Sequence, residues 1–417
     1  MVIQDICLPA DDTNYERYLH YARHMRELRV GLTSAGLDDA EPSALIVGVG
    51  LRAFGMAIAA PYPGIRSNFA TVFPRLTRVR WIRGPCESWN RHEPGALARF
   101  HPCCQSYLLR GLHTLRTLDS IEMSFEEDLV ISDHETEYFE TSLASLTLVD
   151  LSGEIDQLFQ CTQALPSSMP LKTLRLTTWE YWNMNDLSSL LANLQRVIAA
   201  NKESCWLITL EITNYMANEY APIIYSPISI SPGLYNPVMG PLASVIGPTL
   251  STLRLDPLID MQFPPDFLDT FLAAKNLRYL SVGSNAARLV HPTSLITFES
   301  IVAFIEALPY LEDLFIPWTI ESTREETPDD NAGPVSPSSS PEVINQNFKT
   351  LGYPYTYGLD AEAIVSVLDV IGSMLPSLTH LHIFSCYIDD WNDTLYDTDR
   401  VLGFSFQSFQ EIGRAHV

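Results

Sequence analysis

The residues that could do chemistry in this chain of 417 are few and scattered. His101, Cys103 and Cys104 lie close together, and His20 and His24 sit four apart on a predicted helix. Either set could begin a metal site, because imidazole nitrogen and thiolate sulfur are the usual zinc ligands. Neither has the second pair that closes a tetrahedral site, so ordinary thiols and surface imidazoles are expected, and no metal. Gly48-Val49-Gly50, with Gly55 beyond, resembles a phosphate-cradling turn. Its third glycine is misplaced for G-x-G-x-x-G and no clear βαβ unit surrounds it, so the stretch from Ala44 to Ala60 reads as an apolar buried helix. No G-x-S-x-G, H-E-x-x-H or Walker sequence is present, and nothing places a Ser–His–Asp triad. The expectation is a chain that is not an enzyme and carries no cofactor.

What recurs instead is a structural phrase. Leu171-Lys172-Thr173-Leu174-Arg175-Leu176 reads L-x-x-L-x-L, and matches begin at Leu118, Leu143, Leu171, Leu207, Leu250, Leu277, Leu311 and Leu378. Looser ones begin at Met25 and Leu76. Three of the gaps are 25, 28 and 27 residues; the longer ones hold insertions or a degenerate unit. This is the strand signature of a leucine-rich repeat, whose leucines face one core. Several matches are entered through Pro or another turn-former, and amphipathic segments follow most of them. Asp186 to Ala199 has Leu187, Leu190, Leu191, Leu194, Val197 and Ile198 on one face, with Asp186 as N-cap. Pro265 opens a second helix, with Phe267, Leu268, Phe271 and Leu272 inward; Ser300 to Leu308 and Asp360 to Leu375 give two more, each closed by Pro.

Strand alternating with helix predicts an α/β leucine-rich-repeat solenoid of roughly nine to eleven units, curved, with one parallel sheet on the concave face and helices on the convex face. A doubly wound α/β domain is the alternative. Leu143, Leu146, Leu148, Leu171, Leu174, Leu176, Leu253, Leu255, Leu280, Leu314 and Leu381 are expected to be buried. Residues 1–24 read as an N-terminal cap or a remnant linker, and residues 25–410 as the solenoid. Residues 411–417 read as a translated sequencing adapter and are kept out of the fold reasoning.

Insertions are expected at 214–241 and 321–358. In the first, Pro222, Pro227, Pro232, Pro237 and Pro241 alternate with Tyr215, Tyr220, Tyr225 and Tyr235, which predicts a long loop rather than a helix or a central strand. Residues 321–347 of the second are acidic and Ser/Pro-rich, with Thr327, Ser336 and Ser340 each before Pro, and predict disorder.

Charge narrows the partners. The chain has 26 basic and 50 acidic residues, net −24, so neither nucleic acid nor an anionic membrane is expected to bind it. Seven cysteines without paired spacing, and no secretory signal in Met1 to Asp12, point to reduced thiols in the cytoplasm or nucleus.

Between the inward leucines, alternate residues point out. They include Arg78 and Arg80, Ser120 and Glu122, Ser145 and Thr147, Thr173 and Arg175, Thr209 and Glu211, Thr252 and Arg254, Tyr279 and Ser281, Asp313 and Phe315, and His380 and His382. A near-neutral face rich in Ser, Thr, Arg and aromatics on so acidic a chain suits a protein partner. The partner-binding candidates are Arg80, Glu122, Arg175, Glu211, Arg254, Tyr279, Phe315, His380 and His382. Arg175 and Arg254 are expected to flank Glu211 and to anchor an acidic group, or else to pair with it across the sheet.

Tyr15-Glu16-Arg17-Tyr18, Tyr21-Ala22-Arg23 and Met25-Arg26-Glu27-Leu28 resemble the segment just after the F-box in fungal F-box/leucine-rich-repeat proteins. Phe73-Pro74-Arg75-Leu76 and Leu277-Arg278-Tyr279-Leu280 are similar to strand beginnings in that family. The resemblance implies the substrate-recruiting part of a cullin-type ubiquitin ligase, with the ligase adaptor as a further partner only if an F-box is encoded upstream. A free-standing repeat scaffold is the other reading.

Overall fold

A single hydrogen-bond pattern starts each parallel strand after the first in either unit of the computed structural model. The carbonyl oxygen just before one strand accepts two consecutive backbone N–H groups from the next. Arg26 O accepts from Thr77 and Arg78 (2.9 and 3.0 Å), and Ser251 O from Arg278 and Tyr279 (2.8 and 3.1 Å). Before most strands the chain makes a four-residue turn closed by a bond from the fourth N–H to the first C=O, as in Phe73-Pro74-Arg75-Leu76 (3.2 Å) and Leu308-Pro309-Tyr310-Leu311 (3.0 Å). Proline suits the second place because its fixed φ matches the turn, and its missing N–H is not needed there.

The structure describes residues 20, 22–31, 73–82, 117–125, 144–166, 169–178, 184–200, 207–214, 236–255, 263, 265–282, 296–319, 345–355, 371, 372, 374–384 and 402–405. The chain divides into two compact units, Met1–Trp182 with Ser189–Leu207, and Asn183–Ser188 with Ile208–Val417.

The first unit carries β1 (Glu27–Gly31), β2 (Arg78–Ile82), β3 (Ser120–Ser124), β4 (Leu148–Gly153) and β5 (Thr173–Thr178), parallel and paired in chain order. Leu28, Val79, Ile121, Val149 and Leu174 stand in register and are fully buried. Each such side chain contributes about 1.5–3 kcal/mol of burial. Helix α1 (Ile155–Gln163) follows β4 directly, with the Glu154 N–H donating to Gln157 Oε1 at 3.0 Å. Gly153 permits this tight junction: a Cβ there would fall 2.6 Å from that oxygen and 3.0 Å from the Phe125 ring. Within this unit Arg196, on helix α2 (Met184–Ala200), donates to the carbonyls of Gln163 and Leu165 (2.6 and 3.2 Å) beyond α1.

The second unit carries β6 (Thr209–Asn214), β7 (Thr252–Leu255), β8 (Tyr279–Val282), β9 (Asp313–Thr319), β10 (Thr350–Tyr355) and β11 (His380–Phe384), again parallel and in chain order. Leu210, Leu253, Leu280, Leu314, Leu351 and Leu381 form its buried row. Helix α3 (Asn236–Val245), the 3₁₀ helix Pro265–Phe271 and helix α4 (Phe298–Ala307) connect the strands. Both units are therefore α/β stacks of leucine-rich-repeat type, eleven parallel strands among the described residues. Among those residues no helix is long and apolar enough to cross a membrane.

Five expectations need correction. The frame at Leu143 is three residues early: β4 follows Leu146-x-x-Val149-x-Leu151, so Leu148 faces outward and is half-buried. A valine in the central place hid this frame from a leucine-only pattern. The second insertion holds β10, led by Phe348-x-x-Leu351, so the 67-residue spacing from Leu311 to Leu378 contains a repeat. The proline-rich loop ends in α3: Pro237 occupies its first turn, where no intrahelical donor is needed, and Pro241 lies inside it. Asp186 is in the first turn of α2 rather than at its N-cap. Finally β12 (Leu402–Ser405) joins β11 antiparallel, so the sheet is not wholly parallel. Leu143, most of the helix expected at Asp360 to Leu375, and the segment from Ala44 to Ala60 lie outside the described residues.

Candidate functional site

The outward face of each sheet is built by alternation. Where Leu174 and Leu176 are buried, Arg175 between them is exposed. In the first unit one outward row runs Arg80, Glu122, Asp150, Arg175 in register. Arg80 Nε donates to Glu122 Oε2 at 2.5 Å and its Nη2 to Oε1 at 3.0 Å, a bidentate pair. Glu27 lies 3.9 Å away on the other side. The hydrogen bond to Glu122 raises the Arg80 pKa further, against partial desolvation. Arg175 Nη1 sits 3.8 Å from Asp150 Oδ2. Sequence reasoning missed Asp150 because the slipped frame put Thr147 in its place; the spacing Leu146, Val149, Leu151 was the signal available.

In the second unit the same row reads Glu211, Arg254, Ser281, Phe315, Gly352, with the His382 backbone next. Glu211 and Arg254 are half-buried and in register on β6 and β7. Tyr279 and Phe315 are half-buried aromatics on adjacent strands, ring centroids 5.7 Å apart and tilted by 42°. Phe315 leans over Gly352, whose missing side chain makes room for the ring. Ser281, outward yet only 3 % exposed, is covered on this aromatic stretch. His380 is exposed, its Nδ1 2.9 Å from Thr379 Oγ1. The His382 side chain lies outside the described residues. Arg175 lies in the first unit and Arg254 in the second.

One edge of this sheet carries an ion triad. Arg278 and Lys349, just before β8 and β10, both donate to Glu312, just before β9, at 3.3 and 2.7 Å. The Lys349 hydrogen bond, then its charge and that of Arg278, hold the Glu312 carboxyl below its ordinary 4.5 despite some desolvation. A carboxyl depressed on folding stabilises above its unfolded pKa, and that contribution is lost as pH falls through the folded value. The melting-temperature advantage of the native protein over Glu312→Gln is therefore expected to be small at neutral pH and to vanish in the acid range below 4.5. An advantage that grew on acidification would refute it.

Of the chemical candidates, His20 and His24 lie edge to face with ring centroids 5.4 Å apart. Among the described residues no group of three or more His, Cys, Asp or Glu side chains is placed to hold a metal. Cys161 is a free, buried thiol whose pKa burial pushes up, so it is unreactive. His101, Cys103, Cys104 and the glycines at 48, 50 and 55 lie outside the described residues.

No family profile matches the chain, and no curated protein matches it. Among solved structures it is similar to a chain of the Rad7 and Elc1 complex in yeast, with 14% identity and a TM-score of 0.21, covering 74% of this chain and 89% of that one.

Proposed function

We propose that the chain is a protein-interaction module without a catalytic step of its own, binding its partner on the outward sheet faces. The observation that carries this is the half-buried Tyr279–Phe315 pair, set outward on a rigid strand ladder with Gly352 leaving room for the ring. Aromatic side chains presented on a fixed surface supply contact area at low entropic cost, which is why they dominate protein-binding hot spots. In this reading Glu211, Arg254 and His380 frame the aromatic pair, and Arg80, Glu122 and Arg175 form a polar surface on the first unit. The resemblance of Tyr15–Leu28 to F-box/leucine-rich-repeat proteins supports the narrower role of substrate recognition for a ubiquitin ligase in the cytoplasm or nucleus.

The test is affinity purification with the native chain and with Tyr279→Ala/Phe315→Ala. Proteins recovered by the native chain should fall about tenfold with the variant, while its melting temperature stays close to native. Equal recovery would remove the aromatic pair from the account. Extending the chain upstream and finding no cullin adaptor in the purified complex would leave the scaffold role and discard the ligase one.

A further inference from the structure

Beyond the outward face, the structure assigns a second docking surface to the strand-start edge of the second unit, centred on Tyr310, and its occupant is an acidic peptide segment of a protein partner. The turns before β8, β9 and β10 are Ala274-Lys275-Asn276-Leu277, Leu308-Pro309-Tyr310-Leu311 and Asn345-Gln346-Asn347-Phe348, each closed by the same backbone bond (2.9, 3.0 and 3.1 Å). Tyr310 thus takes the place that Asn276 and Asn347 hold on either side. Its residue is 51% exposed, one of two large hydrophobics so exposed among the described residues. The turn beneath it does not drift. Asn345 Nδ2 donates to Leu308 O and Leu311 O at 2.9 and 3.0 Å, and Asn347 Nδ2 to Pro309 O at 3.1 Å. An exposed ring on a clamped turn needs little ordering when it binds.

Charge decides the occupant. The second unit has eight Lys and Arg residues against 26 Asp and Glu. Three of the eight, Lys275, Arg278 and Lys349, lie at the same strand-start edge as Tyr310, before β8 and β10, and are exposed. Glu312 bridges two of them, yet the Arg278 and Lys349 side chains remain 63% and 56% exposed. Against these three cations stand two carboxylates, Glu312 and the neighbouring Asp313, which also acts on Lys349, so a local positive excess remains on a strongly negative protein. Such a spot steers and orients an acidic segment that the rest of the surface repels. The Arg278 guanidinium offers a planar fork for a carboxylate, Lys349 and Lys275 offer point charges, and the Tyr310 ring packs on an adjoining apolar side chain.

The experiment is selection of random dodecamer peptides displayed on phage against the whole chain, followed by affinity measurements on the synthetic peptides. Enriched peptides should be rich in Asp and Glu, and their binding should weaken with added salt. Arg278→Gln/Lys349→Gln should weaken it about tenfold and Tyr310→Ala several-fold. All three side chains are exposed, so the melting temperature should hardly change. Tyr279→Ala/Phe315→Ala should bind these peptides as the native chain does, which separates failure here from failure of the sheet-face reading. Enrichment of peptides without acidic residues, or unchanged affinity in the Gln variant, overturns the proposal. Tight binding of labelled oligo-dT that the Gln variant abolishes would also overturn it, assigning the edge to nucleic acid.

Discussion

Phe271→Ala is expected to lower stability by about 3–5 kcal/mol. The ring is completely buried and ends a short aromatic chain: Phe263 to Phe267 at 4.5 Å between centroids, Phe267 to Phe271 at 5.0 Å edge to face. Removing it forfeits the burial of the ring, the geometry of the pair and the packing of whatever lines the cavity. The surroundings have little freedom to collapse into that space. The 3₁₀ helix Pro265–Phe271 leads through the turn bond from Leu277 N to Ala274 O into β8, whose register with β7 and β9 is held by Leu280. In a repeat stack a loosened connection also weakens its neighbours. Urea unfolding followed by circular dichroism reads the effect. A midpoint shift equivalent to less than about 1 kcal/mol would mean that the aromatic chain is not core.

The second large effect contrasts two neighbours on β5. Leu174→Ala is expected to cost about 2–5 kcal/mol, and Arg175→Ala less than about 1 kcal/mol. Leu174 is fully buried in the row it shares with Val149, Ile121, Val79 and Leu28. Arg175 points the other way, with 44% of its side chain exposed and the Asp150 carboxylate 3.8 Å off. Most of the Coulomb energy of such a pair is screened by water, so its loss is minor. Unfolding both variants by urea under identical conditions measures the difference directly. Comparable costs would contradict the alternation on which the outward face is defined.

Inward alternation was legible in the sequence because it depends on spacing within one strand. L-x-x-L-x-L at Leu171, Leu250, Leu277 and Leu311 marks buried leucines without reference to any other part of the chain, since water exclusion acts on each apolar side chain wherever it is packed. The repeat class followed from that, as did the outward identity of Arg80, Glu122, Arg175, Tyr279 and Phe315. Who faces whom across the sheet was legible only where the repeat frame was read correctly, as for Arg80 and Glu122. Arg80 meets Glu122, 42 residues away, and Arg278 meets Glu312, 34 away, only because neighbouring strands share a register. Val149 in β4 and Phe348 before β10 are two places where another apolar residue fills the leucine site. Burial accepts any apolar side chain of suitable volume, so a pattern written for leucine loses the frame while the packing keeps it. Tertiary structure alone therefore put Asp150 beside Arg175, Gly352 under Phe315, and Glu312 between Arg278 and Lys349. Lateral contacts between distant turns are set by strand pairing, and no local spacing encodes them.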